Sequence, residues 1–413
     1  MVQYNKFTLD NGLRVVVHED PTTPLVAVNT LYNVGARDEQ EDKTGFAHLF
    51  EHLMFEGSAN IPNFDEPLQR AGGESNAFTN NDMTNYYDVI PAGNLETALW
   101  LESDRMLQLD ITAKSLDVQR KVVIEEFKEN YLNQPYGDVW HKLSELAYKV
   151  HPYKWPTIGK EISHIENATL KDVKSFFNTY YVPANAILVI AGSVKTEEVR
   201  ELVEKWFGDI PYKPAPIKQI AKEPKQTEAR LMEVQADVQA NAIYKAYHMD
   251  IRDSHNYYVM DLVTDILSSG HSARLYQSLI KEQELFSEID AYVSSYFDEG
   301  LIIIEGKMRK GVTMEQADNA IAGELLKLRK MPVGVKELQK IKNKQESYTV
   351  FSEVNLLNRA TNLAYCELLG NIELINTEID IYNKINVEDI AEESEKVFTQ
   401  TNCSTIHYYA KNN

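Results

Sequence analysis

Cysteine is nearly absent from this chain, with only Cys366 and Cys403 in 413 residues. Two thiols cannot build a disulfide framework, so a reducing compartment is expected, with both thiols buried as small apolar side chains. Long apolar runs are lacking as well. Stretches such as "ILVIAG" and "LIIIEG" are far shorter than the roughly 20 residues of a spanning helix, which argues against a membrane protein. The opening "MVQYNKFTLDNGLRVVV" has no apolar core of signal-peptide length and no small-residue cleavage site, and reads as the start of a folded strand. A cytoplasmic location is expected, or a periplasmic one if an export signal has been removed. Positive charge is scarce: 42 Lys and Arg against 62 Asp and Glu leave a net charge of −20. That balance argues against a nucleic-acid partner, whose phosphates require a basic face. Most of the charge is expected to be solvated surface, and some to line a cavity that attracts cationic substrates.

What is present is globular. Hydrophobic residues make up 43% of the chain and charged residues 25%, and the length suggests two or more domains. The proline- and lysine-bearing "PYKPAPIKQIAKEPKQT", residues 211–227, lacks periodicity and reads as an extended linker near the midpoint. On either side of it one pattern recurs. Strand-like "LRVVVHE" and "LVAVNTLYNVG", then Arg37-Asp38, then a helical stretch closing at Gly57, match "ARLMEVQ" and "NAIYKAYHMD", then Arg252-Asp253, then helical "NYYVMDLVTDILSSG" closing at Gly270. Amphipathic segments follow in each half, among them "NLETALWLESDRM", "LDVQRKVVIEEFKENYL" and "VTMEQADNAIAGELLKLRK". The expected fold class is α+β: two related domains, each a mostly antiparallel sheet backed by helices. Their expected bounds are 1–212 and 228–413, joined by a linker at 213–227.

The identity between the copies is faint, and they differ where chemistry is concerned. "GFAHLFEHLMFEG", residues 45–57, puts His48, Glu51 and His52 on one face of an otherwise apolar helix, because positions i, i+3 and i+4 are neighbours. Aligned on the trailing glycines, the second half has Asp261, Thr264 and Asp265 there, which make no such set. Two imidazoles on one helical face suit zinc, which takes three protein ligands plus water in catalytic sites. A carboxylate beside that water can take its proton, and Glu51 has the position for it. The blander alternative is a polar stripe facing solvent. The dense apolar flank of Ala47, Leu49, Phe50, Leu53, Met54 and Phe55 leaves little of the helix for water.

A third ligand is expected from "VQRKVVIEEFKENY". On a helix, Glu126 shares the inward stripe with Val122, Val123 and Phe127, whereas Glu125 is rotated about 100° away toward Glu129 and fits a solvated pair. A buried carboxylate needs a partner, and a divalent metal is a good one.

His-x-x-Glu-His in this order resembles the inverted zincin motif. Over most of the first half the chain resembles the pitrilysin/insulinase family of zinc metallopeptidases, in particular short bacterial members related to the mitochondrial processing peptidase. The blocks "LDNGLRVVV", "GARDE", "TGFAHLFEHLMFEGS", "AGGESNAFTNNDMTNYYDV" and "RKVVIEEF…NQPYG" stand in the family's order. The resemblance implies zinc, one per chain, held by His48, His52 and Glu126, with Glu51 as catalytic base. Glu126, 74 positions after His52, matches the family's third ligand, and Glu129 is the runner-up. An acid seven residues before that ligand is usual in the family; here the position is Gln119.

The strand-like run after Gly72 and Gly73 has a hairpin reading and a substrate reading. Asn76, Ala77, Phe78 and Thr79 along an exposed edge can pair with an extended peptide through main-chain hydrogen bonds, and in the resembling family this strand holds substrate. Self-sufficient family members carry an Arg and, seven residues later, a Tyr in the second half. Aligned on "SARLYQSL", those positions are Lys281 and Glu288, and Arg274 and Tyr276 have the wrong spacing. An ionised Glu288 cannot donate to an oxyanion. The resemblance therefore implies half of a clamshell: a zinc endopeptidase for short unstructured peptides, paired in a heterodimer with a homologous subunit that supplies the Arg/Tyr pair, or working as a homodimer. The rival reading is a non-catalytic peptide-binding or scaffolding subunit. A metal-dependent hydrolase of other substrates has no support beyond zinc itself.

Overall fold

The computed structural model describes residues 1–331 and 333–411. The strands form two sheets. β1 (Asn5–Thr8), β2 (Arg14–Glu19), β3 (Leu25–Tyr32), β4 (Glu74–Thr79), β5 (Thr84–Pro91) and β6 (Ala186–Gly192) make six strands in the order β1-β2-β6-β3-β5-β4. β7 (Arg230–Ala236), β8 (Ala242–His248), β9 (Phe286–Val293), β10 (Leu301–Met308) and β11 (Cys403–Ala410) make five, in the order β7-β11-β8-β10-β9. In each sheet one pair is parallel, β2 with β6 and β7 with β11, and the other neighbours are antiparallel.

Without β1, the first order maps onto the second strand for strand. The repeat that was faint in the residues is therefore plain in the topology, and the expected α+β class holds. A helix follows the second repeat strand in both copies, Phe46–Leu53 after β3 and His255–Ser268 after β8. The paired Arg positions are also equivalent: Arg37 and Arg252 are both buried, Arg37 held by Asp82 at 2.8 Å and Arg252 by Glu378 at 2.5 Å.

Each sheet belongs to its own compact unit. The first gathers residues 1–130, 155–220 and 350–376; the second gathers 131–154, 221–349 and 377–413. The continuous domains read from the sequence differ from these units in two segments. Helix Val139–Ala147 packs Val139 and Leu143 with Tyr244, Ile406 and Tyr408 of the second sheet. Helix Leu356–Leu368 lies on β3 and β6 of the first, where Arg359 reaches Asp20 at 2.5 Å and the Thr361 hydroxyl reaches Asn29 at 3.2 Å. An amphipathic helix needs an apolar face to cover but does not specify which, so the sequence left these partners open.

The segment 211–227 has no helix or strand, as expected of a linker, but it is pinned rather than loose. Within the first unit, the Lys218 ammonium donates to Asp38 and Asn33, both at 2.8 Å. Within the second, the buried Glu223 carboxylate accepts the backbone N–H groups of Lys149, Val150 and His151 at 2.8–2.9 Å. Cys366 and Cys403 are both buried, and neither is in a disulfide. Among the described residues no helix is long and apolar enough to cross a membrane.

One buried charge cluster supports β5 from the helix Leu95–Leu107. The Arg105 guanidinium is almost fully buried, 4.3 Å from the Phe64 ring centre and 4.6 Å from that of Tyr86, and it donates to Glu102. Asp88, on β5, is equally buried, and neither of its oxygens meets a hydrogen-bond donor among the described residues. Burial, and then the Glu102 charge, push Asp88 well above the usual carboxylate range. One guanidinium neutralises one carboxylate, and the second stays neutral by holding a proton.

This has a measurable sign. An unfolded Asp releases its proton near pH 4, whereas folded Asp88 keeps it to a higher pH. The folded state then binds more protons, and stability falls as pH rises above about 4, by up to roughly 1.4 kcal/mol per pH unit. Urea midpoints between pH 5 and 8 should decline less steeply for Asp88→Asn than for the unmodified chain. Parallel declines would mean that Asp88 is ionised in the folded protein.

Candidate metal centre

The helix carrying the histidines starts where it does because of Gly45. Its φ is +86°, a left-handed conformation that disfavours side chains, and a Cβ there would fall 2.6 Å from the Ile158 carbonyl oxygen. The turn before it is anchored by Thr44, whose hydroxyl accepts the Lys160 N–H at 2.7 Å and meets His164 Nδ1 at 2.8 Å. Phe46, Ala47, Leu49, Phe50 and Leu53 are buried, which leaves His48, Glu51 and His52 on the remaining, half-buried face. The two imidazoles meet edge to face with ring centres 4.9 Å apart.

The opposing helix, Ala113–Phe127, opens with a capping box in which the Ser115 N–H and the Thr112 hydroxyl are 3.0 Å apart. Its inward side holds Leu116, Val123 and Phe127. Val122 was expected on that side and is not: it is exposed, on the rim row it shares with Glu126 one turn later. Glu126 nevertheless points at the histidines. Its Oε2 lies 3.7 Å from His48 Nε2 and 3.4 Å from His52 Nε2. Glu125 is exposed and bonded to Lys128 at 2.8 Å, and Glu129 is exposed.

Among the described residues, His48, His52 and Glu126 are the one group of three His, Cys, Asp or Glu with ligand atoms close enough for a metal, all within 4.8 Å. The donor set fits zinc. Zinc–nitrogen and zinc–oxygen bonds of about 2.0–2.2 Å in a tetrahedron separate two ligand atoms by roughly 3.3–3.6 Å, close to the distances found. Burial, then the neighbouring His52, lowers His48 to about 4, so its imidazole is neutral with a lone pair to give. No Lys or Arg among the described residues forms an ion pair with Glu126. His48 Nδ1 is buried and finds no acceptor among them either.

Glu51 stands on the same face. Burial raises its carboxyl above the ordinary range, while the hydroxyl and N–H of Thr79 oppose that rise. Thr79 ends β4, and among the described residues β4 pairs only with β5, Asn76 opposite Tyr87 and Thr79 opposite Thr84, which leaves its other edge without a strand. Asn76, Ala77, Phe78 and Thr79 thus lie on an edge strand whose last residue abuts Glu51. Gln119, where the family usually has an acid, donates its amide to Glu56. That contact ties the helix Ala113–Phe127 to the turn that follows the histidine helix.

Two features of the site escaped the sequence reading. The proximity of Thr79 to Glu51 depends on the β4–β5 pairing. The second is Glu39, whose carboxylate accepts the N–H groups of Gly45 at 2.9 Å and Ala47 at 2.8 Å. A signal for it existed: a helix preceded by glycine has no side chain at its own N-cap and must be capped from elsewhere.

The equivalent helix of the second unit has no such site. Asp261 accepts the Tyr382 hydroxyl at 2.5 Å, the Thr264 hydroxyl turns back to the Asp261 carbonyl, and Asp265 accepts the Gln345 amide. Glu288 is paired with Lys307 at 2.5 Å, and Arg274 is engaged in a two-pronged pair with Glu337 at 2.9 and 2.8 Å.

The family model described as Insulinase (Peptidase family M16) matches residues 14–161, and that of the Peptidase M16 inactive domain matches residues 167–345. The chain belongs to the insulinase-type peptidase family M16. A relative in Helicobacter pylori, the zinc protease PqqE, is 30% identical over 98% of this chain and 92% of its own length. The crystal structure of a protease from the same organism superposes with a TM-score of 0.94 at 29% identity, covering 99% of both chains. The periplasmic protease PqqL of Escherichia coli shares the fold, with a TM-score of 0.82 at 18% identity; the match covers 99% of this chain but 48% of that one. The M16 inactive-domain match falls mostly in the half without the histidines, in keeping with the side chains found there.

Metal analysis should separate the three glutamates. Glu126→Gln is expected to weaken zinc binding by more than the roughly 10–100-fold typical of losing a supporting residue. Glu125→Gln should leave binding unchanged. Metal loss on changing Glu125 or Glu129 instead would reassign the third ligand.

Proposed function

We propose that this chain is a zinc-dependent endopeptidase acting on short, unstructured peptides, and that it is the zinc-bearing member of a two-chain enzyme. The observation that carries the reading is the convergence of His48, His52 and Glu126 beside a half-buried Glu51 at the end of an open strand edge. His48, His52 and Glu126 would hold one zinc ion, which when bound polarises the scissile carbonyl and acidifies the attacking water. Glu51 takes a proton from that water as its oxygen bonds to the carbonyl carbon. It then delivers the proton to the amine nitrogen as the C–N bond breaks. The upward push on Glu51 from burial favours the first transfer, because a raised pKa makes the carboxylate a stronger base. The free edge of β4 at Asn76–Thr79 offers main-chain groups to an extended peptide, giving binding with little dependence on its side chains.

The partner is inferred from what the second unit lacks. Lys281 and Glu288 stand where an Arg/Tyr pair is expected, and Arg274 is committed to Glu337. The match to half the length of PqqL supports a working enzyme built from two such chains' worth of residues. A homologous subunit carrying the pair would complete a chamber around the peptide. A scaffolding role is disfavoured by the intact ligand set.

Glu51→Gln should bind zinc like the unmodified chain and lose about 10²–10⁴-fold in peptide turnover. An active Glu51→Gln variant with normal zinc content would remove Glu51 from the mechanism.

The purified chain alone should bind zinc yet cleave peptides slowly, since one missing oxyanion donor costs roughly 3 kcal/mol, about 100-fold. Adding a homologous chain that carries the Arg/Tyr pair should restore the rate. Full turnover by the single chain would overturn the two-chain reading.

A further inference from the structure

We propose that Glu39 is the positioning residue that fixes the histidine helix, and with it the metal ligands, against the substrate strand. The inference rests on the zinc-site reading above.

The helix Phe46–Leu53 is short, and its N-cap, Gly45, makes no side-chain cap. Glu39 fills that role from outside, one carboxylate oxygen on the Gly45 N–H and the other on the Ala47 N–H. Ala47 directly precedes His48. The side chain is buried, and among the described residues it has no Lys or Arg partner; its two oxygens are bound by N–H groups of the helix N-terminus. Burial raises Glu39 to about 8, with the Ala47 and Gly45 N–H groups opposing the rise.

Glu39 is itself held in place from the other side. It closes a short turn, Ala36–Asp38, whose backbone bonds to the loop joining β4 and β5: Ala36 N–H to the Asn80 carbonyl at 3.1 Å and Arg37 N–H to that of Asn81 at 2.8 Å. Arg37 adds its pair with Asp82 at 2.8 Å. One continuous chain of contacts therefore runs from the end of β4, through Ala36 and Arg37 to Glu39, and into the first turn of the helix.

His48 gives this chain its importance. A metal-bound imidazole is usually oriented by a hydrogen bond at its second nitrogen. His48 Nδ1 has no protein acceptor among the described residues, so the placement of the helix itself must orient the ring. Glu39 supplies that placement.

The test compares zinc dissociation constants, by chelator competition, and the visible absorption of the cobalt-substituted protein. Glu39→Gln keeps the side-chain volume but sets an amide NH2 against a backbone N–H. It should weaken zinc binding about 10–100-fold and shift the cobalt bands. Thr313→Ala serves as the control. It removes a cap, the bond from the Gln316 N–H, on the helix Met314–Lys330 of the second unit. It should lower the unfolding midpoint while leaving zinc affinity and cobalt bands unchanged. If Glu39→Gln does not fold, Glu39→Asp, too short to reach both N–H groups, carries the same comparison. A folded Glu39 variant with zinc affinity within twofold and an unaltered cobalt spectrum overturns the positioning role alone. An unmodified chain that fails to bind zinc overturns both this inference and the zinc-site reading.

Discussion

The contact of Glu126 Oε2 with His48 Nε2 and His52 Nε2, at 3.7 and 3.4 Å, joins two helices through three groups that do not balance one another. Burial keeps His48 from taking a proton near neutral pH. A neutral imidazole cannot pair fully with a carboxylate, so the cluster as folded is short of positive charge. Clusters of this kind are costly unless a cation completes them. The apolar packing of Leu49, Phe50 and Leu53 beneath, the capping box at Thr112 and the Glu39 cap at Gly45 all hold the ligands together despite that cost. The first unit spends its rigidity on this point, and the open edge of β4 lies where that rigidity can be used.

The repeat explains how a chain can hold such a site only once. Both sheets have the same strand order, and both place a helix after the second strand. In the second unit the corresponding face is closed by internal hydrogen bonds: Asp261 to Tyr382, Asp265 to Gln345. Asp261 is half-buried and raised to about 6, first by burial, and a tyrosine hydroxyl suffices as its partner. The scaffold tolerates a half-buried polar side chain at this position in either copy, His48 in the first and Asp261 in the second. What differs is whether neighbouring side chains satisfy that group or leave ligand atoms free.

Much of this was legible in the residues. The strands, the long helices, the His48–Glu51–His52 face and the direction of Glu126 follow from periods of 2 and 3.6 that a single segment carries within itself. What stayed hidden required two distant segments to be known at once. Val122 reads as core from its chemistry, yet it is exposed, on the row it shares with Glu126, while Leu116, Val123 and Phe127 form the buried side. Glu39 reads as one more acid in "GARDE", although it caps a helix six residues on. Segments 131–154 and 350–376 are amphipathic in the ordinary way, and only the folded sheets decide which of them each covers. In the Asp88–Glu102–Arg105 cluster, Glu102 and Arg105 are i, i+3 neighbours on a helix, but nothing in their separation from Asp88 on β5 tells of that meeting.

The distribution of roles along the chain bears on why a partner is invoked at all. Binding a metal and moving a proton need groups within a few ångströms, and these lie on two helices and one strand of a single unit. Stabilising an oxyanion needs a free donor approaching from outside that cluster. Two basic groups of the second unit are already used: Arg274 is locked by both oxygens of Glu337, and Lys307 is paired with Glu288, while Lys281, at the expected Arg position, is exposed. To free Arg274 would leave the partly buried Glu337 without its cation, and the bidentate geometry makes that loss larger than for a simple surface pair. Arg274 therefore serves the structure of its own unit, and the missing donor is most economically supplied by another chain.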